Sequence, residues 1–271
     1  MALGRLGRLD RVEAGVSRTA TVLVRDLREH DGSLADLAEL CREAGALGYL
    51  LFRRLIAPED ALALRGRVLD ACADLGWLDR VAPRSDGVVR AGARIGGYDQ
   101  TWTDLQCRIQ PLPEFAALRD HPAILRVLGA VFRAPVRSGR GDTCRIFSPS
   151  APDLTTRPHQ DHFYVRGDMA LWTVWVPLGD CPLEMGGLAL LPGSHLEGLR
   201  PHAGPGGAGE QGVEVGPDAV WGGSDYRCGD VLMFNSITLH RALDNRTVDR
   251  LRISADFRYE PVRDRAVVGA G

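Results

Sequence analysis

The segment His159-Gln160-Asp161 carries the pair of side chains in this sequence whose spacing best suits metal chemistry. In an extended chain, residues i and i+2 point to the same face. An imidazole and a carboxylate placed in this way are able to bind one metal ion from adjacent corners. A second imidazole from a distant segment would complete a 2-His-1-carboxylate facial triad, which leaves positions open on Fe(II). The spacing therefore predicts two of three metal ligands.

His240 is the candidate for the second imidazole. A glycine-led turn at Gly229 precedes the apolar run Val231–Phe234, and His240 follows at or near the end of that strand. On its own, a histidine in such surroundings is more often a hydrogen-bonded core residue than a ligand. Because His159 and Asp161 already lie upstream, the position of His240 favours the role of third ligand.

His195-Leu196-Glu197 offers a rival pair with the same spacing. This histidine ends the stretch Pro192-Gly193-Ser194-His195, which is typical of a turn. We therefore interpret His195 as a hydrogen-bonded turn residue and expect no metal there.

A cation is expected in the last β-type run. Arg250, Arg252 and Ser254 alternate along it and would share one face of a strand. A planar guanidinium binds a carboxylate in a bidentate manner. The run is otherwise rich in apolar side chains, which favours a buried arginine that faces a carboxylate. The residues alone leave open which arginine this is, and a solvated edge position stays an alternative.

Residues 136–262 differ in character from residues 1–135, and we predict one domain that spans residues 1–271. The second part is broken at short intervals by glycine and proline, with short β-type runs between. Many short strands separated by such turns are typical of a sandwich or barrel. The predicted strands are Thr143–Phe147, Phe163–Val165, Ala170–Leu178, Leu188–Leu191, Val231–Phe234 and Arg250–Tyr259.

The first part, residues 1–135, has the periodicity of helices. Residues 1–28 are interpreted as a surface arm or an entry strand, and residues 79–104 as a loop. The Gly/Pro-rich stretch Gly204–Asp218, in the second part, predicts a surface loop or lid. The elements predicted in the first part are a helix capped by Ser33 and Asp36, a buried strand at Gly48–Ile56, a helix from Pro58, and a helix at Pro122–Phe132.

The composition excludes several classes of function. Of the 271 residues 25% are charged, and the formal net charge is −2, which gives no electrostatic footprint for nucleic acid or an anionic membrane. No run approaches the roughly 18 apolar residues of a membrane span. The six cysteines are widely spaced and without a Cys-x-x-Cys motif, which indicates reduced thiols. With no apolar leader recognised, we expect a cytoplasmic protein with a small-molecule partner; its oligomeric state is left open.

The sequence resembles the phytanoyl-CoA dioxygenase family of Fe(II)/2-oxoglutarate oxygenases. The likeness covers residues 136–262 well and the N-terminal helices only in general character. It rests on His159-Gln160-Asp161-His162, the strand that contains Trp175, Glu184-Met185-Gly186-Gly187-Leu188, Pro192-Gly193-Ser194-His195, Gly229-Asp230-Val231, His240, Asn245 and the run Arg252–Tyr259.

The resemblance implies a mainly β fold with flanking α-helices, built on a double-stranded β-helix, or jelly roll. His159, Asp161 and His240 match the iron ligands. Arg252 best matches the arginine that binds the distal carboxylate of 2-oxoglutarate, with Arg250 as contender. Trp175 matches a residue that lines the cosubstrate pocket, and Thr173 shares its face. The implied cofactors are Fe(II), 2-oxoglutarate as cosubstrate and O₂, and the implied reaction is oxidation, most simply hydroxylation, of a small-molecule metabolite.

Two positions depart from the family pattern. Ala242 stands where many relatives carry serine, and Met185 replaces the asparagine of an Asn-Gly-Gly turn. Two other functions stay open as alternatives: a cupin-type metal enzyme without 2-oxoglutarate, and a non-catalytic jelly-roll binding protein. The loop residues considered for the substrate pocket are Arg94, Tyr98, Trp102, His162 and Tyr164.

Overall fold

Eleven strands form two β-sheets in the computed structural model, which describes residues 9–13, 21–97, 99–138, 140–149, 151–204 and 211–263. The five-stranded sheet has the order β1-β2-β8-β7-β10; the six-stranded sheet has the order β3-β9-β6-β11-β4, with β5 also paired to β11. Every pairing is antiparallel except β2 with β8. The strands are β1 (Leu9–Glu13), β2 (Thr21–Asp26), β3 (Tyr49–Phe52), β4 (Val136–Ser138), β5 (Thr143–Phe147), β6 (Trp172–Pro177), β7 (Leu188–Leu190), β8 (Val220–Gly223), β9 (Val231–Asn235), β10 (His240–Ala242) and β11 (Arg252–Pro261).

The two sheets pack face to face, as the predicted jelly roll requires. Leu188 and Leu190 of the five-stranded sheet share one buried cluster with Leu51, Trp175 and Leu232 of the six-stranded sheet. Such inward-facing side chains of two sheets form the core of a sandwich. The fold class, mainly β with flanking helices, is confirmed.

Helices cover the other face of the six-stranded sheet. Val174 and Val176 point away from Trp175 and join a second cluster with side chains of five helices. Because both faces are covered, all six residues of β6 are buried. The helices are α1 (Leu37–Leu47), α2 (Pro58–Asp74), α3 (Gln100–Ile109), α4 (Pro113–Arg119), α5 (Pro122–Phe132) and α6 (Asp161–Val165).

The helices α2 and α5 begin at Pro58 and Pro122, as predicted, because proline suits the first helical position. The helix α1 begins later than predicted. Asp36 alone caps it, since its carboxylate accepts the Glu39 N–H at 3.0 Å. The helix α3 begins inside the stretch predicted as a loop, and α4 was not predicted.

Two strand predictions in the second part are wrong. The predicted strand Phe163–Val165 lies in the short helix α6, where Phe163 N donates to Gln160 O and turns the chain. Arg250 lies outside β11, which begins at Arg252. The predicted division between residues 1–135 and 136–262 does not separate the sheets, because β1 to β3 belong to them. The single domain over the whole chain stays a prediction.

No helix among the described residues is long and apolar enough to span a membrane. The predicted lid Gly204–Asp218 lies in part outside the described residues, as does most of the predicted N-terminal arm.

Candidate metal centre

Backbone pairing holds the two histidine-bearing segments together. His159 and His240 form an antiparallel bridge in which each N–H donates to the other carbonyl, at 2.9 and 3.0 Å. Gln160, which follows His159, is extended, with φ −121° and ψ 123°. The side chains of His159 and Asp161 therefore emerge on the same side, as their spacing predicts.

The three predicted ligands meet in the interior. Asp161 Oδ1 lies 3.4 Å from His159 Nε2 and 3.5 Å from His240 Nε2, and all three side chains are buried. Such separations suit atoms that share one ion at bonds of about 2 Å. In the part of the chain that the structure describes, no other group of histidine, cysteine and acidic side chains is placed to hold a metal.

Backbone carbonyls set the tautomers of both histidines. His159 Nδ1 lies 2.8 Å from Arg157 O, and His240 Nδ1 lies 3.0 Å from Thr238 O. A carbonyl only accepts, so each Nδ1 carries the proton and each Nε2 presents a lone pair to the centre. Burial, reinforced by the neighbouring His240, lowers the pKa of His159 to about 4. His159 is therefore neutral near pH 7, as a ligand must be.

Asp161 is held as an anion. Burial alone would raise its pKa, but Arg258 and the two histidines hold that pKa well below the usual range of a carboxyl. Its Oδ2 accepts hydrogen bonds from Thr173 Oγ1 at 2.6 Å and from an Arg258 nitrogen at 3.1 Å. Two imidazoles and one carboxylate form the donor set of a non-haem Fe(II) centre.

A small cavity opens beside the triad, and all three triad residues line it. Charged groups reach it from β5 and β11, namely Arg145, Arg252 and Asp256. Its apolar wall consists of Phe147, Trp175, Leu188, Phe234 and Ala242.

Arg252 is a buried cation in this cavity. Its side chain is 1% exposed, lies over the rings of Phe147 and Trp175, and donates to Ser254 Oγ at 3.2 Å. Its Nε is buried without a hydrogen-bond partner, and it forms no ion pair with any described carboxylate. Asp256 acts on it only at longer range and is itself paired with Arg145 at 2.7 Å, so the buried guanidinium keeps donors for an anionic ligand.

Arg250 lies elsewhere. Its side chain is 42% exposed, and its guanidinium donates to Asp86 O at 2.8 Å on the surface. Of the two arginines that the sequence left open, the structure thus places Arg252 in the cavity and Arg250 outside it.

Trp175 and Thr173 are placed differently. The indole of Trp175 lines the cavity, and its Nε1 is buried without a partner, so a donor remains for a ligand. Thr173 directs its hydroxyl to Asp161. Contact of either residue with 2-oxoglutarate stays a prediction.

The rival pair is not part of the centre. His195 lies in the turn Ser194–Glu197, as interpreted, with its Nε2 3.0 Å from Gly45 O. Glu197 pairs with Arg200 at the surface. Neither residue belongs to a metal-binding group of the described chain.

Of the residues considered for the substrate pocket, those that the structure describes do not line the cavity beside the triad. Arg94 pairs with Asp153 and lines a separate cavity together with Trp102. Tyr164 packs edge-on against the His159 ring, and its hydroxyl donates to Gln211 O. Tyr98 lies outside the described residues. Their role toward a substrate stays a prediction.

Sequence reasoning missed the functions of Gln160 and Arg258. The signal for Arg258 was present, because Arg252, Asp256 and Arg258 place three charges on one face of an otherwise apolar strand. Gln160 carried no signal beyond its position between two ligands.

Gln160 is fully buried and ties three segments together. Its Nε2 donates to Gly198 O at 2.8 Å and to Ile237 O at 2.7 Å. Its Oε1 accepts the Arg200 N–H at 2.8 Å, and its own N–H donates to His202 Nε2 at 3.0 Å. The segment after the turn at His195 is thereby fastened to the chain that carries the ligands.

Replacing Gln160 with alanine is expected to lower the free energy of unfolding by about 2–4 kcal/mol, because it leaves buried carbonyls and an N–H without partners. Thermal unfolding of the metal-free chain measures the loss. The matched control is Gln110→Ala on the surface, which removes one exposed bond to Asp142 O and should cost less than about 1 kcal/mol. Equal losses for the two variants would contradict a central role of Gln160.

Comparison with known proteins agrees with this geometry. The family described as phytanoyl-CoA dioxygenase (PhyH) matches residues 47–254. A 1-deoxypentalenic acid 11-beta-hydroxylase from Streptomyces arenae is 35% identical over 159 residues, which cover 53% of this chain and 56% of that enzyme. The matched segment thus spans only about half the length of this relative.

Two solved structures share the fold. The non-heme alpha-ketoglutarate-dependent carbocyclase SnoK from nogalamycin biosynthesis has a TM-score of 0.60 at 24% identity, covering 85% of this chain and 86% of its own. The epimerase SnoN, in complex with Fe3+, alpha ketoglutarate and nogalamycin RO, has a TM-score of 0.58 at 19% identity, covering 88% and 93%. The family match over residues 47–254 covers most of this chain and includes His159, Asp161 and His240, so the chain belongs to the phytanoyl-CoA dioxygenase family.

Proposed function

We propose that this chain is an Fe(II)- and 2-oxoglutarate-dependent oxygenase. The observation that carries the proposal is the buried, ion-pair-free guanidinium of Arg252 in the same cavity as the triad. The residues fit both groups: two imidazoles and a carboxylate for the metal, and a cation with unused donors for a dicarboxylate.

Each residue has one task in this proposal. His159, Asp161 and His240 hold the metal through Nε2, Oδ1 and Nε2. Arg252 binds the distal carboxylate of 2-oxoglutarate, and Trp175 lines the pocket. When bound, Fe(II) and 2-oxoglutarate supply the activation of O₂ that oxidises a substrate C–H bond and releases succinate and CO₂. The apolar wall keeps water from this reaction.

Arg252 weighs against one of the two alternatives, and the triad weighs against the other. A cupin-type metal enzyme without 2-oxoglutarate has no use for a buried cation that needs an external anion. A jelly-roll binding protein does not require two imidazoles and a carboxylate whose donor atoms all face one common point. Each alternative therefore leaves buried polar groups whose desolvation lowers stability and whose presence it does not explain.

For the substrate we propose a small-molecule metabolite and hydroxylation as the reaction. The support is the hydroxylase from Streptomyces arenae, whose name gives an organic acid, 1-deoxypentalenic acid, as its substrate. Ala242 in place of serine lies in the cavity wall, so one hydroxyl contact found in relatives is absent from the proposed cosubstrate pocket.

The test is anaerobic addition of 2-oxoglutarate to the Fe(II)-loaded chain. A visible charge-transfer band is expected, followed by succinate release in air that depends on iron and rises with one member of a metabolite panel. Zinc-loaded protein is the control and should give neither signal. Absence of the band from the iron-loaded protein would overturn the 2-oxoglutarate proposal and favour the cupin-type alternative.

A further inference from the structure

Two cross-strand neighbours reach the same oxygen of Asp161. Thr173 on β6 and Arg258 on β11 are directly paired in the sheet register. Thr173 Oγ1 donates to Asp161 Oδ2 at 2.6 Å, and an Arg258 nitrogen donates to that oxygen at 3.1 Å. We call Thr173 and Arg258 the carboxylate clamp.

The clamp divides the two oxygens of Asp161 between two environments. Oδ2 accepts two hydrogen bonds, both charge-assisted, and the one from Arg258 is also an ion pair. Oδ1 faces the Nε2 atoms of His159 and His240. Rotation of the carboxylate about its Cβ–Cγ bond would break both bonds to the clamp.

Arg258 is itself fixed by its surroundings. It is 2% exposed, and one guanidinium nitrogen donates to Gly141 O at 2.7 Å and to Asp256 O at 3.3 Å. The other nitrogen lies 3.7 Å from Asp256 Oδ2, which accepts a 2.7 Å bond from Arg145 Nε. The guanidinium would therefore have to break these hydrogen bonds in order to follow a rotating carboxylate.

We propose that Thr173 and Arg258 are positioning residues that restrict Asp161 to one metal-binding oxygen. This inference rests on the proposed metal site. A carboxylate free to turn is able to chelate a cation with both oxygens, which would fill one more coordination position. With the clamp intact, about three positions of a six-coordinate ion remain open for ligands other than protein.

The experiment counts water molecules on bound Mn(II), an ion that accepts carboxylate and water ligands. Water-proton relaxation enhancement per bound Mn(II) is measured on the full chain without 2-oxoglutarate. For Thr173→Val and Arg258→Lys, the enhancement is expected to fall by about one third, from three waters to two. Thr173→Ser keeps the hydroxyl and should restore the value of the unaltered chain. Thr143→Val is the matched control, since that buried hydroxyl bonds Gln106 and not Asp161.

Unchanged enhancement in Thr173→Val would overturn the inference, and so would an equal fall in Thr143→Val. If Arg258→Lys does not fold, Thr173→Val and its serine counterpart decide alone. Failure of the unaltered chain to bind Mn(II) at all would overturn the metal site, and with it the clamp.

Discussion

Replacement of Asp161 with alanine is expected to weaken Fe(II) binding at least about 100-fold, or about 2.8 kcal/mol, and to abolish turnover. The change removes the only anionic ligand and leaves Arg258 as a buried cation without its main counter-charge. His159→Ala and His240→Ala should lose metal in the same way, because each supplies one lone pair. The measurement is anaerobic Fe(II) titration of each metal-free variant, with circular dichroism to verify folding.

The matched control is His195→Ala, which removes a histidine of the rival His-x-Glu pair. It should bind Fe(II) like the unaltered chain, since its imidazole bonds Gly45 O in a turn. Loss of iron in His195→Ala together with retention in His240→Ala would show that the metal centre is wrongly assigned.

Replacement of Arg252 with lysine is expected to weaken 2-oxoglutarate binding tenfold or more, about 1.4 kcal/mol. An ammonium is a point charge that cannot reproduce the two parallel bonds of a guanidinium to a carboxylate. Fe(II) affinity should be unchanged, because Arg252 does not contact the three ligands. Anaerobic titration of the charge-transfer band gives the dissociation constant.

Arg250→Lys is the matched control, two residues away on the surface. It should titrate like the unaltered chain. If Arg250→Lys weakened 2-oxoglutarate binding and Arg252→Lys did not, the dependence on 2-oxoglutarate would stand, but Arg252 would be wrongly assigned as the residue that binds its carboxylate.

The juxtaposition of the three candidate ligands was partly predictable from the sequence, for a geometric reason. An i, i+2 pair on an extended segment needs no tertiary information to share a face, and His159 and Asp161 meet that condition. The predicted place of His240 at the end of the glycine-led strand was wrong, because β9 ends at Asn235 and His240 begins the separate strand β10. The confirmed helices at Pro58 and Pro122 likewise depend on local backbone restriction.

The errors arose where tertiary contacts decide the local structure. Phe163, Tyr164 and Val165 have strand-like propensity, but β propensity depends on context. The ring of Phe163 stacks on His202, a contact from a distant loop that the sequence does not reveal. The same reason hid the function of Arg258, since its partner Asp161 lies 97 residues earlier.

The bridge between His159 and His240 has a consequence for the energetics of metal uptake. Ordering one residue costs about 1–2 kcal/mol of conformational entropy, and here the folding of the sheets has already ordered both ligand segments. An arriving ion therefore meets a preorganised site, and little of its binding free energy is lost to ordering the chain. Zinc fingers represent the opposite case, in which the metal itself drives folding. In this protein we expect the jelly roll to fold without its ion, and removal of the metal to change the structure only around the three ligands.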